Sequence, residues 1–275
     1  MAAKKIKIHE SDPKTAMAIA AHPDDIEFMM AGTLLLLKRE GWTIHCLVIS
    51  NGDCGTPNET KNAIVKKRLK EAKASFDMAG FVFHKPWVGD LEIFYNQKLL
   101  SRVISEIRDA RPSIVLTQSL TDYMEDHDAT ARLAAMGAFC RGMNNIRCTP
   151  KRQPFGGDCA VYHALPHGLT DNMRCRVIPE LFVDVEPVFQ MKRAMLNCHT
   201  SQKLWLDVSQ GMDAYLKVQE EMAGTVGKMS QKFNLAEGWR RHNHLAFSRT
   251  PEADPLFDAL GDHVVRNKKY NISGK

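Results

Sequence analysis

The chain has 275 residues, of which 44% are hydrophobic and 25% are charged. This composition excludes a disordered or fibrous protein and fits one large α/β domain with a substantial core. The net charge of +5 comes from basic residues scattered among acids, so we expect no nucleic-acid partner. The longest apolar stretch, residues 28–37, is too short to span a bilayer, so we expect no membrane partner.

The seven cysteines are odd in number and form no C-x-x-C pair. This favours a reduced, cytoplasmic protein over a disulfide framework or a thiolate zinc site. Residues 1–10 contain two lysines but no apolar run, so we expect no signal peptide.

Strand and helix patterns alternate along the first half of the chain. Predicted strands are residues 16–21, 43–50, 81–84 and 113–118, and predicted helices begin at Ile26 or span 61–79, 96–110 and 128–141. This alternation is typical of a Rossmann-like parallel sheet with helices on both faces. A strand order of 3-2-1-4 would open a crevice between the carboxyl ends of strands one and four.

The second half is less regular. Strands are predicted at 160–165 and 181–185, helices at 188–198 and 204–222, and a Gly- and Ser-containing break at 224–230. We therefore expect a single domain over residues 1–275. Its sheet core would span about 15–142, and a C-terminal α+β lobe would span about 150–275.

The turn between the first strand and the first helix carries the densest chemistry. It consists of His22, Pro23, Asp24 and Asp25. The proline fixes the backbone between two side chains that can bind metal, His22 and Asp25. Helix capping by the two aspartates is the alternative, but a histidine fixed beside them favours a functional site.

The predicted crevice brings this turn close to residues 119–127, which follow the fourth strand. His22, Asp25 and His127 would then form the ligand set of a catalytic zinc with one open position. Asp24 is the candidate general base, and Asp126 would orient an imidazole. The alternative for Asp126 and His127 is an ordinary helix start.

Several ordered motifs resemble those of the PIG-L/LmbE-like family of zinc-dependent N-deacetylases, which includes GlcNAc-PI de-N-acetylase-like proteins. The motifs are residues 21–25, 51–56, Arg68-x-x-Glu71-Ala72, Asp126-His127, 179–184, Lys192, 199–202 and 236–240. The resemblance implies a Rossmann-like fold and one zinc per chain. It also implies hydrolysis of N-acyl groups, most often from N-acetylglucosamine conjugates.

The same resemblance implies Arg68 and Asp53 as substrate contacts. A surface salt bridge to Glu71 or Glu59 is the alternative for Arg68. At Met124 the chain departs from the pattern, because many members have a histidine three residues before the second zinc histidine.

A thioether cannot donate a hydrogen bond to an oxyanion, so Met124 leaves two alternatives. Either His163 or His167 supplies the donor, or zinc is the sole electrophile and Asp24 serves as both base and acid.

The predicted function is zinc-dependent removal of an N-acetyl group from a small amino-sugar conjugate; homo-oligomerisation stays open. A catalytically weak sugar-binding or regulatory protein of the same fold is the alternative that Met124 suggests. A nucleotide-binding Rossmann protein is disfavoured, because the first turn lacks G-x-G-x-x-G and carries carboxylates where a pyrophosphate would lie.

Overall fold

The computed structural model describes residues 10–210 and 215–270, so most of the segment used to exclude a signal peptide lies outside the described residues. The strands are β1 (Asp12–Ala20), β2 (Thr43–Val48), β3 (Val82–His84), β4 (Pro112–Thr117), β5 (Ala160–Ala164), β6 (Leu181–Asp184), β7 (Ala236–Arg241) and β8 (Val264–Arg266). The helices are α1 (Asp25–Met29), α2 (Ala31–Arg39), α3 (Lys61–Ala79), α4 (Gln97–Ala110), α5 (Glu125–Phe139), α6 (Phe189–Asn197), α7 (Thr200–Gln210), α8 (Tyr215–Ser230) and α9 (Pro255–Leu260).

The strands form one sheet in the order β3-β2-β1-β4-β5-β7-β6-β8. The first five are parallel, and β7, β6 and β8 extend the sheet through antiparallel pairs. The predicted order 3-2-1-4 and the predicted α/β class with a C-terminal α+β lobe are confirmed. The carboxyl ends of β1 and β4 are therefore neighbours.

Helices cover both faces of the sheet because the residues of β1 alternate between two cores. Ala16 and Ala18 pack with the apolar faces of α2, α3 and α6. Met17 and Ile19 pack with those of α4 and α5. Both sets are fully buried, which explains why residues 16–20 of β1 have no polar face.

The predicted first helix is broken at Met30 into α1 and α2. The carboxylate of Glu237, on β7, accepts hydrogen bonds from the backbone amides of Gly32 and Thr33 at 2.8 Å. A Cβ on Gly32 would lie 2.4 Å from Val185 Cγ1, so only glycine permits this close approach. The break thus attaches the C-terminal strands to the helix that follows the first turn.

The C-terminal region differs most from the sequence predictions. The break predicted at 224–230 is wrong, because α8 continues through Gly224 and Gly227 to Ser230. The helix predicted over 204–222 corresponds to α7 and the first part of α8, and its residues 211–214 lie outside the described residues. Three elements, β7, α9 and β8, were not predicted.

In the part of the chain that the structure describes, no helix combines the length and apolar character that a membrane span requires.

Candidate metal centre and active site

The turn after β1 has an unusual backbone. Asp24 has a φ of 104°, in the left-handed region, and its side chain does not cap α1. The backbone amide of His22 instead donates to Asp25 Oδ2 at 2.8 Å. The turn therefore holds the His22 and Asp25 side chains together and leaves Asp24 apart from them.

His22, Asp25 and His127 converge on one point. His22 Nδ1 lies 3.3 Å from Asp25 Oδ2 and 3.3 Å from His127 Nε2, and His127 Nε2 lies 3.5 Å from Asp25 Oδ2. Two imidazole nitrogens and one carboxylate oxygen so close together form a set that can hold a metal ion. His127 lies in the first turn of α5, at the carboxyl end of β4.

Each of these three side chains is held by a further polar group. Asp126 Oδ2 lies 3.0 Å from Nε2 of His22, and Asp122 Oδ1 lies 3.1 Å from Nδ1 of His127. The amide of Gln118 donates to Asp25 Oδ2 at 3.1 Å. The sequence predicted that Asp126 orients an imidazole of the cluster. Sequence reasoning missed Asp122 and Gln118, although both lie in or beside the segment that follows the fourth strand.

The electrostatics of the cluster favour a positive charge at its centre. Burial alone would lower the pKa of His22, but hydrogen bonds to Asp126 and Asp25 raise it to about 10. His127 is also buried, yet Asp25 and Asp122 raise its pKa. Burial opposes ionisation of Asp25, but His127 and His22 hold its pKa well below the usual range. A divalent cation bound between these side chains would be stabilised by the same carboxylates, so the donor set fits a metal cofactor.

Asp24 lies beside the cluster in a different environment. Asp24 is only 7% exposed. Burial, together with the negative charge of Asp25, raises the pKa of Asp24 to about 6. Arg68, His199 and Tyr215 act in the opposite direction. A carboxylate with a pKa near neutrality is suited to general base catalysis.

A cavity of about 480 Å³ opens onto the cluster and onto Asp24. Part of its wall is an arc of rings that starts at His127. The ring centroids are 5.5 Å apart for His127 and Tyr123, 6.0 Å for Tyr123 and His167, 4.9 Å for His167 and Phe28, and 5.7 Å for Phe28 and Tyr215. Other lining residues are polar, among them Asp90 and Gln202.

Arg68 lines the cavity but is held by the backbone of neighbouring loops. Its guanidinium donates to the carbonyls of Pro23, at 2.9 Å, and Gly52, at 3.2 Å, and lies 3.7 Å from Asp24 Oδ1. A surface salt bridge to Glu71 or Glu59 is wrong as an alternative, because Arg68 is 2% exposed and points to Asp24 instead.

The remaining predicted substrate contacts divide into two groups. Met124 and His167 line the cavity, whereas Asp53 and His163 do not. Asp53 instead binds Lys61 Nζ at 2.5 Å and the backbone amide of Asp90 at 2.8 Å. His163 lies on β5, the neighbour of β4, and its ring nitrogens contact the carbonyl of Gln118 at 2.8 Å and His242 Nδ1 at 2.9 Å. The prediction that Asp53 or His163 contacts the substrate is therefore corrected, because both side chains already bind other protein groups.

A Rossmann-like sheet with a His–Asp–His cluster where its first and fourth strands end defines a class of α/β proteins with a candidate metal centre. Within that class, residues 17–138 match the family model PIG-L, described as GlcNAc-PI de-N-acetylase. Residues 17–138 therefore resemble the PIG-L family, and the predicted resemblance is confirmed.

Two relatives of this chain are named for different activities. A diacetylchitobiose deacetylase of Thermococcus kodakarensis is 28% identical over 240 residues, covering 85% of this chain and 86% of the relative. A 4-oxalmesaconate hydratase of Pseudomonas putida is 27% identical over 201 residues, covering 70% of this chain and 76% of the relative. The solved structure of the N,N'-diacetylchitobiose deacetylase from Pyrococcus horikoshii has a TM-score of 0.70 at 21% identity, covering 88% of each chain.

Proposed function

We propose that this protein is a zinc-dependent hydrolase that removes the N-acetyl group from a small amino-sugar conjugate. The observation that carries the proposal is the convergence of His22, Asp25 and His127 beside a separately held Asp24. The family match and the deacetylase relative support the same reaction class.

His22, Asp25 and His127 would hold the zinc ion. Bound zinc supplies a water of lowered pKa and polarises the amide carbonyl. Asp24 takes a proton from the attacking water and delivers it to the amide nitrogen as the C–N bond breaks, so that acetate and an amine leave. Asp126, Asp122 and Gln118 fix the orientation of the three ligands.

His167 is the candidate donor to the carbonyl oxygen. Its imidazole lines the cavity and, among the described residues, has no hydrogen-bond partner. Burial lowers its pKa, so the ring is neutral at pH 7 and still offers one N–H. In this proposal, His167 donates the hydrogen bond to the carbonyl oxygen that the side chain of Met124 cannot donate.

The cavity suits an amino sugar because its wall has an aromatic part and a polar part. The arc of rings can cover the C–H face of a pyranose, and Gln202, whose side-chain oxygen has no partner among the described residues, can meet a hydroxyl group. Among the described lining residues, Arg68 is the one Lys or Arg, and its donors already serve backbone carbonyls. This charge balance favours a neutral substrate over an anionic one.

The test is acetate release from a panel of N-acetyl amino sugars that includes N,N'-diacetylchitobiose and N-acetylglucosamine conjugates. Release by the wild-type protein and its loss in Asp24→Asn are expected. If the protein binds zinc and these sugars but releases no acetate, the catalytically weak sugar-binding alternative is correct.

Hydration of a carbon–carbon double bond is a second candidate, because one relative is named a hydratase. The same base and metal ligands could activate water for addition to an unsaturated acid. Loss of ultraviolet absorbance of such an acid, with no acetate release from the sugar panel, would favour hydration over deacetylation.

A further inference from the structure

Tyr215, the last ring of the aromatic arc, carries a hydroxyl group that the proposed reaction has not yet used. It lies in α8, it is 3% exposed, and its phenol donates a hydrogen bond to Asp24 Oδ2. One turn later on the same helix, the amide of Gln219 donates to the backbone carbonyl of Glu27 at 3.0 Å. Helix α8 thus contacts the turn at Asp24 and helix α1 at Glu27.

These two contacts differ in what they hold. Gln219 binds a main-chain atom of α1, so it docks the helix without touching a side chain of the metal cluster. Tyr215 binds the carboxylate of Asp24 itself. A hydrogen bond from a neutral hydroxyl to a buried carboxylate is charge-assisted and strongly directional.

The two oxygens of Asp24 have separate partners. Oδ2 accepts from Tyr215, and Oδ1 lies 3.7 Å from the guanidinium of Arg68. The left-handed backbone of Asp24 does not fix the rotation of its carboxylate, and the carboxylate makes no capping bond to α1. Its rotation is fixed instead by the contacts on both oxygens. Because Oδ2 is occupied by the phenol, Oδ1 is the oxygen left to accept a proton from water.

We propose that Tyr215 is a positioning residue that aims Asp24, so that Oδ1 is the proton acceptor. This inference rests on the proposed function, since it assigns a role through the general base. It also connects the cavity wall to the chemistry, because Val218 on the same helix lines the cavity. A misplacement of about 1 Å at a reacting group can cost on the order of 100-fold in rate.

The experiment compares Tyr215→Phe with Gln219→Met. Tyr215→Phe removes only the phenol oxygen and should lower kcat by about 10- to 100-fold, with KM and bound zinc unchanged. Gln219→Met removes a buried hydrogen bond from the same face of α8, so it should lower thermal stability but leave kcat within about 2-fold. Tyr95→Phe, at a residue 50% exposed, controls for a tyrosine change away from the cavity.

A kcat within about 2-fold of wild type in Tyr215→Phe would overturn the proposal. So would an equal loss in Gln219→Met, because docking of the helix would then be the cause. Crystal structures give a second readout that does not depend on activity: Tyr215→Phe should show Asp24 in a changed or split rotamer, and an unchanged single rotamer contradicts the proposal. If the wild-type protein releases no acetate, the proposed function fails, and these structures still decide the role of Tyr215.

Discussion

His22 and Asp126 form a pair in which Nε2 of the imidazole lies 3.0 Å from Oδ2 of the carboxylate. This contact turns the other nitrogen, Nδ1, toward Asp25 and His127. Asp126 also accepts the backbone amide of Leu91 at 2.8 Å, so its own position is fixed by the loop after β3. A residue that never reaches the ligand cluster thus decides which nitrogen of His22 is available to a metal.

We expect zinc binding at pH 8 to release protons. The pKa of His22 is raised to about 10, so its imidazole carries a proton in the metal-free protein, and the pKa of His127 is raised as well. Zinc needs neutral nitrogens, and ordinary histidines at pH 8 would have almost no proton to release. Calorimetry of zinc binding in buffers of different ionisation enthalpy measures the number of protons released per zinc ion bound.

Asp126→Asn is the matched variant, because it removes the charge that raises the pKa of His22 while keeping the shape. It should release fewer protons and bind zinc about 10- to 100-fold more weakly. Equal proton release in both proteins would show that Asp126 does not control His22.

Asp24→Asn should separate catalysis from metal binding. The amide cannot accept the proton, so turnover should fall by roughly two to four orders of magnitude. Bound zinc should stay at the wild-type level, because Asp24 lies outside the cluster of ligand atoms. Wild-type turnover in this variant would remove Asp24 from the role of base.

The missing donor at Met124 is tested by three substitutions assayed for kcat/KM on one accepted substrate. His167→Ala should lower kcat/KM by about 100-fold, the typical cost of one oxyanion donor. Met124→His should then add little, because the donor is already present. If His167→Ala has no effect and Met124→His raises activity, zinc is the sole electrophile in the wild-type enzyme.

His163→Ala completes this comparison. His163 reaches the ligands only through the carbonyl of Gln118, so its loss should weaken zinc binding rather than remove a substrate contact. A large change in KM with unchanged zinc affinity would restore His163 as a contact of the substrate.

The stability of the metal-free protein should depend on His163 at acid pH. Burial lowers the pKa of His163 from 6.5 to about 4, so between these values the unfolded chain binds a proton that the folded chain does not. The contribution of neutral His163 to stability is therefore present above pH 6.5 and is lost as pH falls toward 4. The full loss is roughly 3 kcal/mol.

His163→Gln keeps a polar side chain but removes the titration. The difference in free energy of unfolding between wild type and His163→Gln should shrink as pH falls from 6.5 to 4. A difference that is constant with pH would show that His163 is not held neutral.

The sheet core was predictable because its signals are local. The strand and helix patterns of residues 16–118 and the His22–Asp25 turn follow from hydrophobic periodicity and turn chemistry, and α3 was predicted with its observed bounds. The roles of Tyr215 and Glu237 could not be read this way. Tyr215 stands in a segment without a motif, and the motif at 236–240 does not show what Glu237 binds. Each acquires its role only because the chain returns about 200 residues later, Tyr215 to the first turn and Glu237 to α2.

The most direct test of the account is acetate release by metal-free and zinc-reconstituted protein on the same N-acetyl amino-sugar panel. Removal of the metal with a chelator should abolish release, and one equivalent of zinc per chain should restore it in wild type but not in His127→Ala. Acetate release that survives complete metal removal, or that His127→Ala retains in full, would contradict a zinc centre built from His22, Asp25 and His127.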